Sequence, residues 1–373
     1  MALTNPHEAN KLLDILEQQP NKFVFGAKKP IFNCVLSMIT PVARDGDFGK
    51  EYAQAHIYLL DLPGRGKTAI LKHLSSGTKS KLGRIDGRSD TLPFDLTGYE
   101  YYDRFTGTRT LLKGPQHSNI FFFDEITRTP PKGQSTMLGG MEGGHIIMNV
   151  TNLETGRLEA KSFPLYPISD DPDEKRMFHQ CLATANPIEF EGTYSLSEAQ
   201  KERFTYGIRV GLPDRESEMR IRPWNVINEK VEVVMDLGTL LDIQDMVKQI
   251  RLSSEAEEYV MRLIDNSRPY SQDLEDYGKK RLRYAKAGLV ECVNGYVASG
   301  CSPRRNYHMV AAAQAFAFRR GEFRIATVDD VKAIAAITME HVILLQPRSL
   351  GDNITTRKVV QKIIDETSLE KLA

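Results

Sequence analysis

Short apolar runs alternate with helical patterns over the first half of the chain. The phenylalanine run of residues 121–123 is continuous rather than alternating in polarity, which is typical of strands covered on both faces. Turn residues bracket each run, and the alternation of strands with helices predicts a parallel α/β sheet. The predicted strands are HIYLL (56–60), KLGRI (81–85), NIFFFD (119–124), HQCLATA (179–185) and YGIRVGL (206–212).

Two segments interrupt this alternation and predict β-hairpins. Residues 98–115 and 145–165 each hold two β-rich runs on either side of a Thr-Gly pair. The Pro- and acid-rich stretch after the second hairpin is expected to be a solvated loop. The first hairpin carries aromatic side chains that either line a pore and grip a client or pack within the hairpin: Tyr99, Tyr101, Tyr102 and Phe105.

Helical patterns dominate from about residue 238 onward. Ser302 and Pro303 offer an N-cap and a proline at the first helical position, and Gly321 closes that helix. Thr327 with Asp330 opens another helix. The change of pattern predicts three parts, namely an α/β domain with two hairpin insertions (1–221), a linker (222–237) and a helical domain (238–373).

The strongest chemical pattern is a phosphate-binding loop in residues 59–74 (LLDLPGRGKTAILKHL). An apolar strand runs into a glycine-rich loop, and Lys67 and Thr68 open a helix. Backbone N–H groups from Gly64 to Ala69 can wrap a β-phosphate at the positive end of that helix. Lys67 adds a charge near the β- and γ-phosphates, and the Thr68 hydroxyl can hold Mg²⁺. The pattern therefore predicts binding of ATP with Mg²⁺.

Position 61 departs from the pattern G-x-x-x-x-G-K-[ST], because Asp61 stands where the first glycine is expected. Aspartate tolerates left-handed backbone better than most residues. A carboxylate about 7 Å from a phosphate costs on the order of 2 kcal/mol at an effective dielectric of about 20. We therefore expect Asp61 to point away from the nucleotide and to lower its affinity only modestly.

Polar side chains follow two further strands. Asp124 and Glu125 end the apolar run NIFFFDEI (119–126). Hydrolysis needs one acid in the metal shell and a separate base for the nucleophile, so Asp124 is predicted to hold Mg²⁺ and Glu125 to polarise the attacking water. Asn186 follows the strand at 179–185, where its amide either holds the lytic water or is only a turn residue before a proline.

Two arginines are candidates for anion binding. Arg203 follows an acidic helical stretch and is either a solvated surface arginine or an arginine finger for the γ-phosphate of a neighbouring subunit. Arg304 lies just inside the helix start at Ser302 and Pro303. Arg304 is either an ordinary first-turn arginine or, because a cation is mildly unfavourable at a helix N-terminus, one with a specific anionic partner.

Composition narrows the class of protein. The chain has 373 residues, of which 41% are hydrophobic, enough for about two domains without disulfides. Basic and acidic residues both number 49, and this balance argues against a nucleic-acid coat or a polybasic membrane binder. The four cysteines form no CxxC pair, and no apolar stretch reaches the length of a membrane span. The first 19 residues lack the apolar region of a signal peptide, so we expect a cytoplasmic protein.

The order of these motifs resembles the MoxR family of AAA+ ATPases over about residues 22–345. The segments DEITRTPPKGQ and NPIEFEGTYSLSEAQ are far more specific than the phosphate loop. The resemblance implies an α/β AAA+ P-loop NTPase core with a parallel sheet, followed by a smaller all-α lid domain, in a hexameric ring with ATP and Mg²⁺ at the subunit interfaces. The motifs run LPGRGKT, RIDGRSDTLPFDLTGYE, FFFDEITRTPPKGQSTMLGGMEGG, ATANPIEFEGTYSLSEAQKERF and SGCSPRR.

The resemblance also assigns roles by motif position. Lys67 and Thr68 correspond to Walker A, Asp124 and Glu125 to Walker B, and Asn186 to sensor 1. A phosphate held by these groups is expected to lie between the α/β domain and the lid.

The same resemblance makes Arg203 the arginine finger and Arg304 the sensor 2 arginine. Contacts of Asn186 and Arg304 with one γ-phosphate are then expected to bias the lid position. Val24, Phe25 and Gly26 stand where the family has a V-G-Q-like segment near the adenine. The full set expected to bind the nucleotide is Phe25, Gly26, Pro63, Gly64, Arg65, Gly66, Lys67, Thr68 and Ala69.

The function predicted from these residues is Mg²⁺-dependent ATP hydrolysis that remodels, matures or activates a protein partner. The resemblance suggests a client with a von Willebrand factor A domain. Two alternatives stay open, a nucleotide-binding scaffold with weak or no turnover and a DNA-directed AAA+ motor. The motor would bind DNA through the basic run KKRLRYAK (279–286). The neutral net charge of the chain instead favours this run as a solvated face of a lid helix or as part of a subunit interface. Membrane and nucleic-acid partners are not expected.

Overall fold

The computed structural model describes residues 3–46, 49–60, 66–152, 155–165, 176–186, 193–220, 231–269 and 285–370. Several sequence predictions fall outside these ranges. They concern Asp61, the loop residues Pro63, Gly64 and Arg65, most of the linker and most of the basic run at 279–286.

Strands and helices alternate in the first part of the chain, and helices dominate the second. The described strands are β1 (Pro41–Gly46), β2 (Gly49–Gln54), β3 (Ile57–Leu60), β4 (Leu82–Asp86), β5 (Gly98–Tyr102), β6 (Arg109–Lys113), β7 (Ile120–Asp124), β8 (His145–Thr151), β9 (Leu158–Pro164), β10 (Gln180–Ala185), β11 (Tyr206–Ile208), β12 (Arg251–Leu252), β13 (Val297–Ser299), β14 (Ile325–Ala326) and β15 (Leu344–Leu345). The described helices are α1 (Pro6–Asn21), α2 (Lys28–Met38), α3 (Lys67–Gly77), α4 (Pro93–Thr97), α5 (Pro131–Gly143), α6 (Glu198–Lys201), α7 (Arg215–Arg220), α8 (Leu237–Lys248), α9 (Ser254–Asn266), α10 (Ala287–Tyr296), α11 (Arg305–Arg319), α12 (Val328–Met339), α13 (Arg348–Gly351) and α14 (Thr356–Glu366).

A parallel sheet of five described strands, in the order β11-β3-β10-β7-β4, forms the centre of the α/β part. Side chains of β7 alternate between its two faces, as the pleat requires. Phe121 and Phe123 join one hydrophobic cluster, whereas Ile120 and Phe122 join the other. All four are buried because both faces are covered, which explains the continuous apolar run in the sequence. The predicted α/β class with a parallel sheet is confirmed.

The last predicted strand is shorter than its sequence pattern suggested. It was expected over residues 206–212, but β11 ends at Ile208. Gly211, further along, has a φ of +76°, a left-handed conformation that a continuing strand does not contain.

Both predicted hairpins are present, β5 with β6 and β8 with β9. The glycine of each Thr-Gly pair has positive φ, +68° at Gly107 and +67° at Gly156, as such turns require. The hairpins are tied together by Glu100, whose Oε2 accepts hydrogen bonds from Arg109 Nη1 (3.1 Å) and Thr151 Oγ1 (2.6 Å). They therefore form one joined platform. A third hairpin, β1 with β2, was not predicted.

The helical part confirms one predicted helix start and corrects another. Thr327 and Asp330 form the expected capping box. The helix expected to start at Ser302 and Pro303 instead begins two residues later as α11, and no side chain caps it. Residue 304 thus lies at the cap position.

The helical part is anchored to the α/β part through a buried ion pair. Arg305 is fully buried, and its Nη2 lies 2.7 Å from Glu202 Oε2. Its Nη1 donates to the carbonyl of Phe204 (3.0 Å), two residues before β11. One hydrophobic cluster also runs from α1 and α2 across a face of the sheet to α8, α9, α11, α12 and α14. The proposed domain boundaries at residues 221 and 238 remain a prediction.

Within the described ranges, no helix has both the length and the apolar character that crossing a bilayer requires.

Candidate functional site

The first half of the site lies at the carboxyl edge of the sheet, where β3 leads toward α3. Lys67 begins α3 and is buried, and Thr68 and Ala69 follow in its first turn. Gly66 caps the helix with a φ of +75°. A Cβ at Gly66 would stand 2.9 Å from Val24 Cγ1, so both conformation and space demand glycine there.

The predicted adenine segment contacts this same region. Val24 packs against Gly66, as the close approach shows. Arg220, at the end of α7, stands over the Phe25 ring with its Cζ 4.2 Å from the centroid. Gly26 has a φ of +75°, and a Cβ there would meet Pro213 Cβ at 2.8 Å. The structure thus brings Phe25 and Gly26 beside the helix start that carries Lys67.

The acid pair is held by a buried threonine. Thr184 Oγ1 donates to Asp124 Oδ1 at 2.7 Å and accepts the backbone N–H of Glu125, also at 2.7 Å. Thr184 is completely buried in β10, next to β7. Glu125 has a φ of +53°, which is rare for a residue with a side chain. One hydroxyl therefore fixes both the carboxylate of Asp124 and the turn that carries Glu125.

Two arginines bind the acid pair. Arg84 Nη2 lies 3.1 Å from Asp124 Oδ2 and 2.7 Å from Asp86 Oδ1, and Asp86 is the register partner of Asp124 on β4. Arg128 Nε lies 2.9 Å from Glu125 Oε2. These cations allow several carboxylates to share one sheet edge.

Asn186 directly follows β10, the strand between β3 and β7. β3 leads toward Lys67 at the start of α3, and β7 ends in the acid pair. Since carboxyl ends of parallel strands meet at one edge, Asn186 lies between Lys67 and Glu125 in the order of the sheet.

The two candidate arginines lie at the opposite edge. The backbone N–H of Thr205, just after Arg203, donates to the carbonyl of His56 (2.9 Å) at the amino end of β3. Arg304 lies beside Arg203 at this edge. The four residues of β3 span about 13 Å at ~3.3 Å per residue. Arg304 therefore lies about a strand length from the edge that Asn186 follows, and the expectation that both contact one γ-phosphate stays a prediction.

Arg203 and Arg304 converge on Glu142, near the end of α5. Arg203 lies side-on to the carboxylate, with Nε 2.8 Å from Oε1 and Nη2 2.9 Å from Oε2. Arg304 Nη1 donates to Oε1 at 2.9 Å. Burial alone would raise the pKa of Glu142, but the two arginines hold it below its ordinary value. The three side chains line a cavity of about 340 Å³ together with Tyr307 and His308.

Sequence reasoning missed three functional candidates, Thr184, Arg84 and Glu142. In the sequence, Thr184 is one residue of a predicted buried strand. Its hydroxyl contacts Asp124 only because β7 lies beside β10 in the sheet. Arg84 stands within a predicted strand two residues before Asp86, a spacing that places both on one face and offered a weak signal. Glu142 is a single acid in a glycine-rich stretch and gave no signal.

Comparisons with known proteins bear on the whole arrangement. Residues 56–163 match the family described as "ATPase family associated with various cellular activities (AAA)". YeaC of Bacillus subtilis is 28% identical over 84% of this chain and 84% of its own length. The chaperone MoxR1 of Mycobacterium tuberculosis is 26% identical over 86% of this chain and 76% of its own length. A crystal structure from Cytophaga hutchinsonii, provisionally assigned as an ATPase, has a TM-score of 0.77 and 25% identity, covering 98% of this chain and 97% of its own.

The chain is similar to MoxR proteins over 79–86% of its length. The resemblance inferred from the motifs is therefore confirmed, as is an AAA+ core followed by a helical region. The family match and the structural neighbour support ATPase activity. The roles of individual site residues stay predictions.

Proposed function

We propose that this MoxR-type ATPase hydrolyses ATP with Mg²⁺ at the contact between two neighbouring copies and uses the cycle to remodel a protein partner. The observation that carries the proposal is the division of charged groups between two edges of one sheet. Lys67, Asp124 and Glu125 lie at the carboxyl edge. Arg203 and Arg304 lie at the amino edge, about a strand length away. Two copies in contact, edge to edge, would complete a site that one copy leaves divided.

In this proposal the carboxyl edge binds the nucleotide. The first turn of α3 donates backbone N–H groups to the phosphates, and Lys67 adds its positive charge. Glu125 accepts a proton from the attacking water, and Asn186 orients that water. Release of Glu125 from Arg128, 2.9 Å away, would free its carboxylate for this task.

The chemistry of the donor set fits Mg²⁺. Thr68 offers a hydroxyl and Asp124 a carboxylate, and Mg²⁺ typically binds one or two carboxylates, substrate phosphates and waters. Among the described residues no group of three or more His, Cys, Asp or Glu side chains could hold a metal by itself, which agrees with a metal that arrives with its nucleotide. When bound, the metal neutralises phosphate charge.

The amino edge supplies the second half of the site in trans. A guanidinium that stabilises γ-phosphate charge contributes about 10³–10⁵-fold to turnover in related phosphoryl-transfer enzymes. Arg203 and Arg304 both lie where they could stabilise the γ-phosphate bound by a neighbouring copy. Hydrolysis would then depend on assembly, and we propose a closed homo-oligomeric ring, hexameric as the family resemblance suggests.

The client surface is proposed to be the hairpin platform. Tyr101 and Phe105 are exposed, Phe105 fully so. Exposed aromatic groups on a joined pair of hairpins favour contact with a client over packing within the hairpin. A relative in this family is named a chaperone, and a protein with a von Willebrand factor A domain remains the client that the family resemblance suggests.

Mixing two inactive variants tests the site in trans. Glu125→Gln removes the base but leaves the arginine edge intact, whereas Arg203→Ala does the opposite. If the halves come from different copies, a mixture recovers phosphate release, because some contacts pair a normal base with a normal arginine. Arg304→Ala mixed with Glu125→Gln applies the same test to the second arginine.

Matched controls keep the outcome clear. Arg262→Ala, which removes an arginine paired with Glu258 in α9, should leave turnover unchanged. No recovery in either mixture, with variants that assemble normally by light scattering, would contradict catalysis in trans. No phosphate release by the unaltered protein at saturating ATP would favour a nucleotide-binding scaffold instead.

A further inference from the structure

Glu142 is the acidic group at the amino edge that joins the two arginines. Its Oε1 lies 2.8 Å from Arg203 Nε and 2.9 Å from Arg304 Nη1. Arg203 is held at a third point, where Nη1 donates to the carbonyl of Ala199 (3.3 Å). The contact of Arg304 occupies a single nitrogen, and 41% of its side chain is exposed.

Electrostatics explains why a carboxylate is needed at this point. Two guanidiniums that share one oxygen repel each other. Glu142 supplies the opposite charge between them, and its two oxygens lie 2.8 Å from Nε and 2.9 Å from Nη2 of Arg203. The arginines therefore converge with a net charge of +1 rather than +2.

We propose that Glu142 is a positioning residue, which gathers Arg203 and Arg304 into one phosphate-binding pair presented to the neighbouring copy. This inference rests on the proposed function, since it assumes that the pair acts in trans. It adds a third member to the amino edge, one that acts through the two arginines. The cavity of about 340 Å³ beside the three side chains provides the space in which a phosphate group of the neighbour would meet the pair.

Glu142→Gln tests the inference, because the amide keeps the size of the side chain and removes its charge. We expect kcat for ATP hydrolysis to fall about tenfold or more, as misplacement of a catalytic group does. KM for ATP should stay within about threefold, because Lys67 and the helix start that bind the nucleotide lie at the other edge. Glu258→Gln, which neutralises an exposed ion-paired acid in α9, is the matched control and should behave as the unaltered protein.

Two further measurements separate positioning from a general folding role. In an Arg203→Ala, Arg304→Ala background, Glu142→Gln should have no further effect on the residual kcat, because no pair remains to be positioned. Mixed with Glu125→Gln, the Glu142→Gln variant should recover activity, because its own nucleotide edge is intact. The same fold-loss in the double-arginine background would overturn the inference.

Failure of this inference differs from failure of the proposed function. If Glu142→Gln turns over normally while Arg203→Ala and Glu125→Gln still complement each other, catalysis in trans stands and the role of Glu142 is refuted. If those two variants do not complement each other, the proposed function fails first.

Discussion

Thr184→Val is the most informative single substitution at the carboxyl edge. It exchanges the hydroxyl for a methyl group of similar size and leaves the strand intact. The hydroxyl donates to Asp124 Oδ1 and accepts the N–H of Glu125, both at 2.7 Å. The valine variant lacks the hydroxyl that joins β10 to both acids. The Asp124 carboxylate and the backbone N–H of Glu125 then each lose this partner.

The expected magnitude follows from the charge on Asp124. A hydrogen bond to a charged group is worth about 1.5–3 kcal/mol. If that energy is lost in the transition state, kcat falls roughly 10- to 150-fold, at about 1.4 kcal/mol per factor of ten. The left-handed turn at Glu125, with a φ of +53°, adds to the effect because its N–H bond to Thr184 helps to hold it.

Steady-state phosphate release at saturating ATP and Mg²⁺ measures the effect. Thr184→Ser is the matched control, because it restores the hydroxyl and loses only a methyl group; we expect its kcat within about threefold of the unaltered protein. Circular dichroism and light scattering on both variants would establish that fold and assembly are kept.

A kcat for Thr184→Val within twofold of the unaltered protein, with the fold retained, would refute the argument. Equal losses in the valine and serine variants would also refute it, because the hydroxyl would then not be the group that matters.

Two further predictions concern stability. Arg305→Met should lower the free energy of unfolding by about 3–5 kcal/mol, because it leaves Glu202 buried without its partner, whereas Arg304→Met at the partly exposed neighbour should cost under about 1 kcal/mol; similar urea midpoints for the two would contradict this. Burial lowers the pKa of His308 and His341 well below 6.5, so both are neutral in the folded protein and bind protons on unfolding. The stability that these two neutral histidines contribute should therefore be fully present above pH 6.5 and decline as the pH falls below it. Equal urea midpoints at pH 7.5 and 5.0 would contradict this prediction.

Local patterns made much of the fold predictable. The helix start at Lys67, the acid pair at the end of β7 and the Thr-Gly turns of both hairpins are each encoded by a few neighbouring residues. Such features depend on short-range backbone preferences and on the alternation of apolar residues. A sequence displays both directly. The strand that was overestimated, β11, failed because Gly211 broke a pattern that hydrophobicity alone extended.

The residues that hold the site together were decided by the tertiary structure. Thr184 meets Asp124 across 60 positions of the chain, and Arg304 meets Glu142 across 162. Neither pair has a local pattern, because each depends on which strands become neighbours and where helices end. The sequence alone determined that the chain carries a phosphate loop, an acid pair and two arginines. Only the folded sheet decided that these groups occupy opposite edges, because strand direction and order set the distance between them.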